Sequence, residues 1–143
     1  MDGWRNRGEG IEASEKRELE MSAKLKSYKD LVVWQKSIVL VKEIYQLTRR
    51  FPADEKFGLI SQMRRAAVSV PSNLAEGHAR NTTGEFVQFI SHAEGSLAEL
   101  ETQVILAVEL GFCPASEARP IQEVIVEIQK MANALRRSLA SRP

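Results

Sequence analysis

Gln62-Met63-Arg64-Arg65-Ala66-Ala67-Val68-Ser69-Val70-Pro71-Ser72-Asn73-Leu74-Ala75-Glu76-Gly77 carries two stripes at helical spacing. With Phe57 and Ile60 upstream, Met63, Ala67, Val70 and Leu74 fall three and four apart and make an apolar face. Arg65, Ser69, Ser72, Glu76 and Arg80 fall at the same steps and make a polar one. Pro71 interrupts both. A proline inside a helix loses the hydrogen bond to residue 67 and crowds that carbonyl, costing roughly 3 kcal/mol. Ser69, Ser72 and Asn73 stand ready to return hydrogen bonds to the local backbone. The stretch predicts a helix kinked at Pro71, with a polar network along one side.

Outward from this stretch the same periodicity recurs three times. Upstream, a helix is predicted over residues 30–50 with two apolar seams. Leu31, Trp34, Ile38, Val41 and Tyr45 form one, and Val33, Leu40, Ile44, Leu47 and Phe51 the other. Lys29, Lys36, Glu43 and Arg50, seven apart, mark its solvent side, and Ser27 with Asp30 has capping-box spacing. Two seams make a face wider than one partner helix needs, so this helix contacts several others, another subunit included. Phe51-Pro52-Ala53-Asp54 reads as a turn, with Asp54 capping a second helix over residues 55–79. Downstream, Thr82 and Glu85 make a capping box for a third helix over residues 83–110. Its Phe86, Ile90, Ala93, Leu97, Leu100, Val104 and Ala107 alternate in steps of four and three. Ala93, Gly95, Ser96 and Ala98 are small enough for a neighbouring helix to approach closely. Gly111 is a C-cap and Pro114 a stop. A fourth helix begins between Ser116 and Pro120, with proline tolerated in its first turn. It turns Ile121, Val124, Ile128, Met131, Leu135 and Leu139 inward. Four helices of about 30–42 Å with short connections specify an all-α, antiparallel up-down four-helix bundle.

The bundle is assigned to residues 28–140. Residues 1–27 read as a disordered or weakly structured extension, because they mix charge with small residues and lack a sustained apolar period. Met21 opens a stretch that reads like a natural start, which would make residues 1–20 an upstream extension. Trp4 is its one large apolar group. Across the 143 residues, 43% are hydrophobic and only 6% aromatic, a profile of aliphatic helix packing. One cysteine, Cys113, excludes an internal disulfide and a multi-cysteine metal site, which fits the cytoplasm. No apolar run approaches a membrane span, and no signal-peptide core opens the chain.

Net charge is +1, but its distribution is uneven. Residues 81–110 hold Glu85, Glu94, Glu99, Glu101 and Glu109 and no Lys or Arg. Residues 30–50 and 111–143 each carry net +2. Such segregation implies helices of opposite sign packed side by side. Arg64 or Arg65 is accordingly expected to reach Glu94 or Glu101, and Glu76 to pair with Arg80. With Ser69, Ser72 and Asn73 these residues make up the expected structural network.

Catalytic and metal chemistry find little support. Glu76-Gly77-His78 and His92-Ala93-Glu94 space carboxylate and imidazole two apart, about 200° around a helix, so neither pair chelates one ion. Cys113 has no nearby base in the sequence and reads as a structural thiol. There is no Gly-rich phosphate loop and no hydrolase constellation around Ser69, Ser72 or Ser96. The expectation is a non-enzyme without cofactor or metal.

Tyr28-Lys29-Asp30-Leu31-Val32-Val33-Trp34-Gln35-Lys36, Phe51-Pro52, Phe57-Gly58-Leu59, the long stretch quoted first, Glu85-Phe86, Gly95-Ser96-Leu97-Ala98-Glu99-Leu100-Glu101-Thr102-Gln103 and Leu110-Gly111 together closely resemble the bacterial four-helix-bundle family. Its members are also called 23S rRNA-intervening sequence proteins. The resemblance spans residue 28 to about residue 139. It implies a left-handed up-down bundle assembling into homopentamers. It also implies kinship with the accessory protein of diversity-generating retroelements, a basic, pentameric nucleic-acid binder that partners a reverse transcriptase. This chain differs from that branch in being nearly neutral. Two functions follow as expectations. One is a homo-oligomer whose Lys36, Lys42, Arg49, Arg50, Arg136 and Arg137 contact RNA or DNA backbone. The other is an assembly module for another protein, a reverse transcriptase included, without nucleic-acid affinity.

Overall fold

The heptad-like patterns become four helices in the computed structural model, which describes residues 27–141. They are α1 (Val32–Thr48), α2 (Leu59–His78), α3 (Thr83–Glu109) and α4 (Ala115–Ala140), with 3-10 turns at Tyr28–Asp30 and Ala53–Glu55. No strand occurs among the described residues. Residues 1–26, with Trp4 and Met21, lie outside them.

Each helix packs against its neighbours in the chain, and α1 also meets α4, while α1 and α3, like α2 and α4, do not touch. Lys36 meets Glu127 and Arg50 meets Glu117, so α1 and α4 run antiparallel. Arg65 meets Glu99, and Gly77 abuts Phe86 and Phe89, so α2 and α3 do too. The four helices thus stand at the corners of a square around one aliphatic core. Of the two α1 seams, Val33, Leu40, Ile44, Leu47 and Phe51 are all buried, while in the other Leu31 is buried and Trp34, Ile38, Val41 and Tyr45 are only half-buried. The stripe Lys36, Glu43 and Arg50 borders the α1–α4 groove, with Arg50 exposed and Lys36 and Glu43 half-buried.

Every apolar position expected of α3 is buried. Its ends are fixed by local chemistry. Thr82 Oγ1 accepts from the Glu85 amide at 3.1 Å and donates to Glu85 Oε1 at 3.0 Å. At the other end Gly111 adopts φ +77°, a left-handed conformation that suits glycine. The Phe112 amide then reaches the Ala107 carbonyl at 2.8 Å and the Gly111 amide that of Val108 at 3.0 Å, a Schellman closure.

Three starts differ from expectation. Ser27 caps the short turn Tyr28–Asp30, accepting from the Lys29 amide, and α1 opens two residues past the expected start at Val32. Glu55, not Asp54, accepts from the Leu59 amide at 3.1 Å, because a 3-10 turn and three further residues delay α2. That delay removes Phe57 from the helical register, and the ring is 89% exposed where the apolar stripe placed it inward. α4 opens at Ala115 with Pro114 as N-cap, so Pro120 falls in the second turn, not the first.

At Pro71 helix α2 continues without interruption, and the ring is buried. Ser69 Oγ donates to the Ala66 carbonyl at 2.7 Å, Ser72 Oγ to Val68 at 2.8 Å and Asn73 Nδ2 to Ser69 at 2.7 Å. None of these donates to Ala67, the carbonyl that proline deprives. They brace the turns around it.

Candidate functional site

The charged members of the expected polar network fall into four separate groups, with Glu101 outside them. Arg64 turns toward α1, where Nε donates to Thr48 Oγ1 at 2.9 Å and the guanidinium lies 4.4 Å from the Tyr45 ring centroid. Arg65 takes Glu99 at 3.6 Å instead of Glu94 or Glu101. Glu99 also accepts from Gln103 Nε2 at 3.2 Å, while Gln103 Oε1 is buried without a hydrogen-bond partner among the described residues. Arg80 pairs with Glu76 at 2.9 Å, approaches Glu85 and covers Phe89. Glu94 turns to α4, where Arg136 and Asn133 both donate to it. Glu101 has no ion pair among the described residues.

Arg64 and Arg65 are adjacent in sequence, yet they face different neighbours because consecutive helical residues diverge by about 100°. The Glu94–Arg136 contact is the least exposed ion pair, with side chains 22% and 30% accessible. The remaining pairs sit on wetter edges, where each contributes little.

The corner joining α1 to α4 gathers Glu43, Arg50 and Glu117 in an open groove with Pro120 and Ile121. Burial pushes the Glu43 carboxyl above its ordinary value. Nearby, burial and the Glu117 carboxylate push the buried Cys113 thiol up, against a smaller downward pull from Arg50. A thiol held protonated is a poor nucleophile. Among the described residues no group of three His, Cys, Asp or Glu side chains converges as a metal site. His78 and His92 instead stack edge-on with Phe86 and Phe89. No helix of the described residues is long and apolar enough to cross a membrane.

The six basic residues singled out in the sequence divide evenly. Lys36, Arg50 and Arg136 are engaged by Glu127, Glu117 and Glu94. Lys42, Arg49 and Arg137 are exposed and have no ion pair among the described residues.

A family model described as 23S rRNA-intervening sequence protein matches residues 29–134, from the first 3-10 turn into the last turns of α4. This chain belongs to the 23S rRNA-intervening sequence protein family. Among curated proteins none matches it.

In this intervening-sequence protein two further cations share the exposed side of α4 with Arg137. Arg119, Lys130 and Arg137 are separated by eleven and seven residues, close to three and two helical turns. All three are exposed, and none has an ion pair among the described residues. Their spacing was visible in the sequence. The adjacent pair Arg136-Arg137 is not one patch, because Arg136 is engaged by Glu94 and Arg137 is not.

Proposed function

We propose that this protein is a non-enzymatic, cytoplasmic, self-assembling scaffold, a homopentamer as the family resemblance implies, that binds RNA or DNA backbone along the outer edge of α4. The observation that carries this reading is the row Arg119, Lys130 and Arg137, exposed on one side of a single helix without an ion pair among the described residues, with Glu123 as the one acid in the same stripe. The row extends about 27 Å at the helical rise, long enough to follow several phosphates. Repetition in a ring multiplies a modest patch into a continuous track, so a net charge of +1 per copy is compatible with binding. The kinship with the retroelement accessory protein that the family resemblance implies points in the same direction.

Filter binding to a structured RNA and to a DNA duplex over a salt series tests it. Affinity should fall steeply with salt, and R119E/K130E/R137E should weaken binding at least tenfold at low salt and flatten the slope. Absence of binding by the unaltered protein at low salt would refute the nucleic-acid half.

The second reading, an adaptor for another protein, is favoured by Phe57 at 89% and Leu110 at 60% exposure. The antiparallel register of α2 and α3 places both at the same end of the bundle. A partner retained by the unaltered protein and lost with Phe57→Ala and Leu110→Ala would support that assignment.

A further inference from the structure

Three glycines lie within helices of the bundle; Gly84 falls in the first turn of α3, and of the other two only one is explained from within. At Gly77 an added Cβ would stand 2.6 Å from the Phe89 Cβ, so close approach of α3 demands glycine there. At Gly95 nothing among the described residues lies within 4 Å of the same added atom. Glycine in a helix interior costs about 1 kcal/mol relative to alanine, with no return here from contacts inside the chain.

Gly95 belongs to an outward stripe of α3: Ser91, Gly95, Ala98, Thr102, Ile105 and Glu109, spaced four and three apart and all exposed. Its first residues are small, and Ile105 farther along is 48% exposed. The diagonal corner presents a matching stripe. On α1, Gln35, Val39, Lys42, Gln46 and Arg49 follow the same steps and are all exposed, Val39 to 50%. Because α1 and α3 stand at opposite corners without touching, their outward stripes point away from each other.

The charges are complementary. α3 holds five glutamates and no Lys or Arg, and Glu109 in the outward stripe and half-buried Glu101 at its α4-side edge have no ion pair among the described residues. Lys42 and Arg49 are equally unengaged. Along their helices the two cations are separated by about 10 Å and the two carboxylates by about 12 Å, an axial match.

We propose that the outward face of α3 docks on the outward face of α1 in a second copy of this chain. Glu101 and Glu109 receive Lys42 and Arg49, which sets Ala98 opposite Val39 and Ile105 on the stem of Gln46, and Gly95 with Ala98 lets the two helix axes approach. The contact is head-to-tail, since each copy offers two different faces pointing apart, and such contacts close into a ring or extend into a filament. It uses none of Arg119, Lys130 or Arg137, so every copy keeps its α4 edge. The proposal rests on the self-assembly half of the reading above and names the surfaces responsible.

Charge reversal tests it on the full chain, with mass read by light scattering and folding by circular dichroism. E101K/E109K and K42E/R49E should each remain helical and fall to the 16.1 kDa of one chain, with apparent dissociation constants raised at least tenfold. Combining all four substitutions should restore the assembly. Gly95→Leu, which meets nothing inside the chain, should preserve or raise the melting temperature while weakening assembly. Folded charge-reversal variants that assemble like the unaltered protein would overturn this interface and leave self-assembly standing. An unaltered protein of 16.1 kDa at every concentration would overturn both.

Discussion

The α2–α3 seam and the α1–α4 seam solve the same problem by different means. Along α2–α3, Gly77 lies so close to Phe86 and Phe89 that a methyl group cannot enter. That seam is held by shape. Along α1–α4 the edge contacts are Lys36–Glu127 and Arg50–Glu117, ion pairs between exposed side chains bordering an open groove. Shape at close range is unforgiving, whereas an exposed ion pair is nearly replaceable by water.

Gly77→Leu should therefore have the largest effect, destabilising by about 3 kcal/mol or more, because the branched side chain must separate α2 from α3. Denaturant unfolding followed by circular dichroism measures it, and a loss under about 1 kcal/mol would mean the seam yields easily. Glu94→Ala tests the intermediate α3–α4 seam. It strips Arg136 and Asn133 of their shared acceptor and should cost about 1–2 kcal/mol in the same assay. Lys36→Ala and Arg50→Ala should each cost under about 0.5 kcal/mol, with the difference shrinking further in molar salt.

The smallest effect sharpens the contrast through pH. Burial raises the Glu43 carboxyl above 4.5, so the folded chain prefers it protonated. Its contribution is fully favourable below the unfolded value and is lost as pH rises through the folded one. Glu43→Gln, neutral at every pH, should slightly raise the melting temperature at pH 7, and the advantage should vanish as pH falls below 4.5.

Much of this architecture was legible because α3 repeats its four-three pattern from Phe86 to Ala107 without a competitor. α1 was ambiguous for the opposite reason. Its two seams are equally apolar, and only the positions of α2 and α4 decide which is sealed. Phe57 misled because a stripe can be extended on paper through residues that a turn places outside the helix. The candidate surfaces were less legible still. Whether a lysine or arginine is available depends on the helix beside it: Lys36, Arg50 and Arg136 are consumed by acids about forty to ninety residues distant. Glu94 looked available to Arg64 or Arg65 until α4 supplied a nearer partner. The Arg119, Lys130 and Arg137 row needed only the turn count, but its significance appears once the engaged cations are set aside.

The sealed position of Cys113 gives the bundle a practical property. Because the folded chain hides its own thiol, a cysteine introduced on any outer surface becomes the single handle that a maleimide dye finds. One fluorophore per chain follows, and stepwise bleaching of single particles then counts the copies in each.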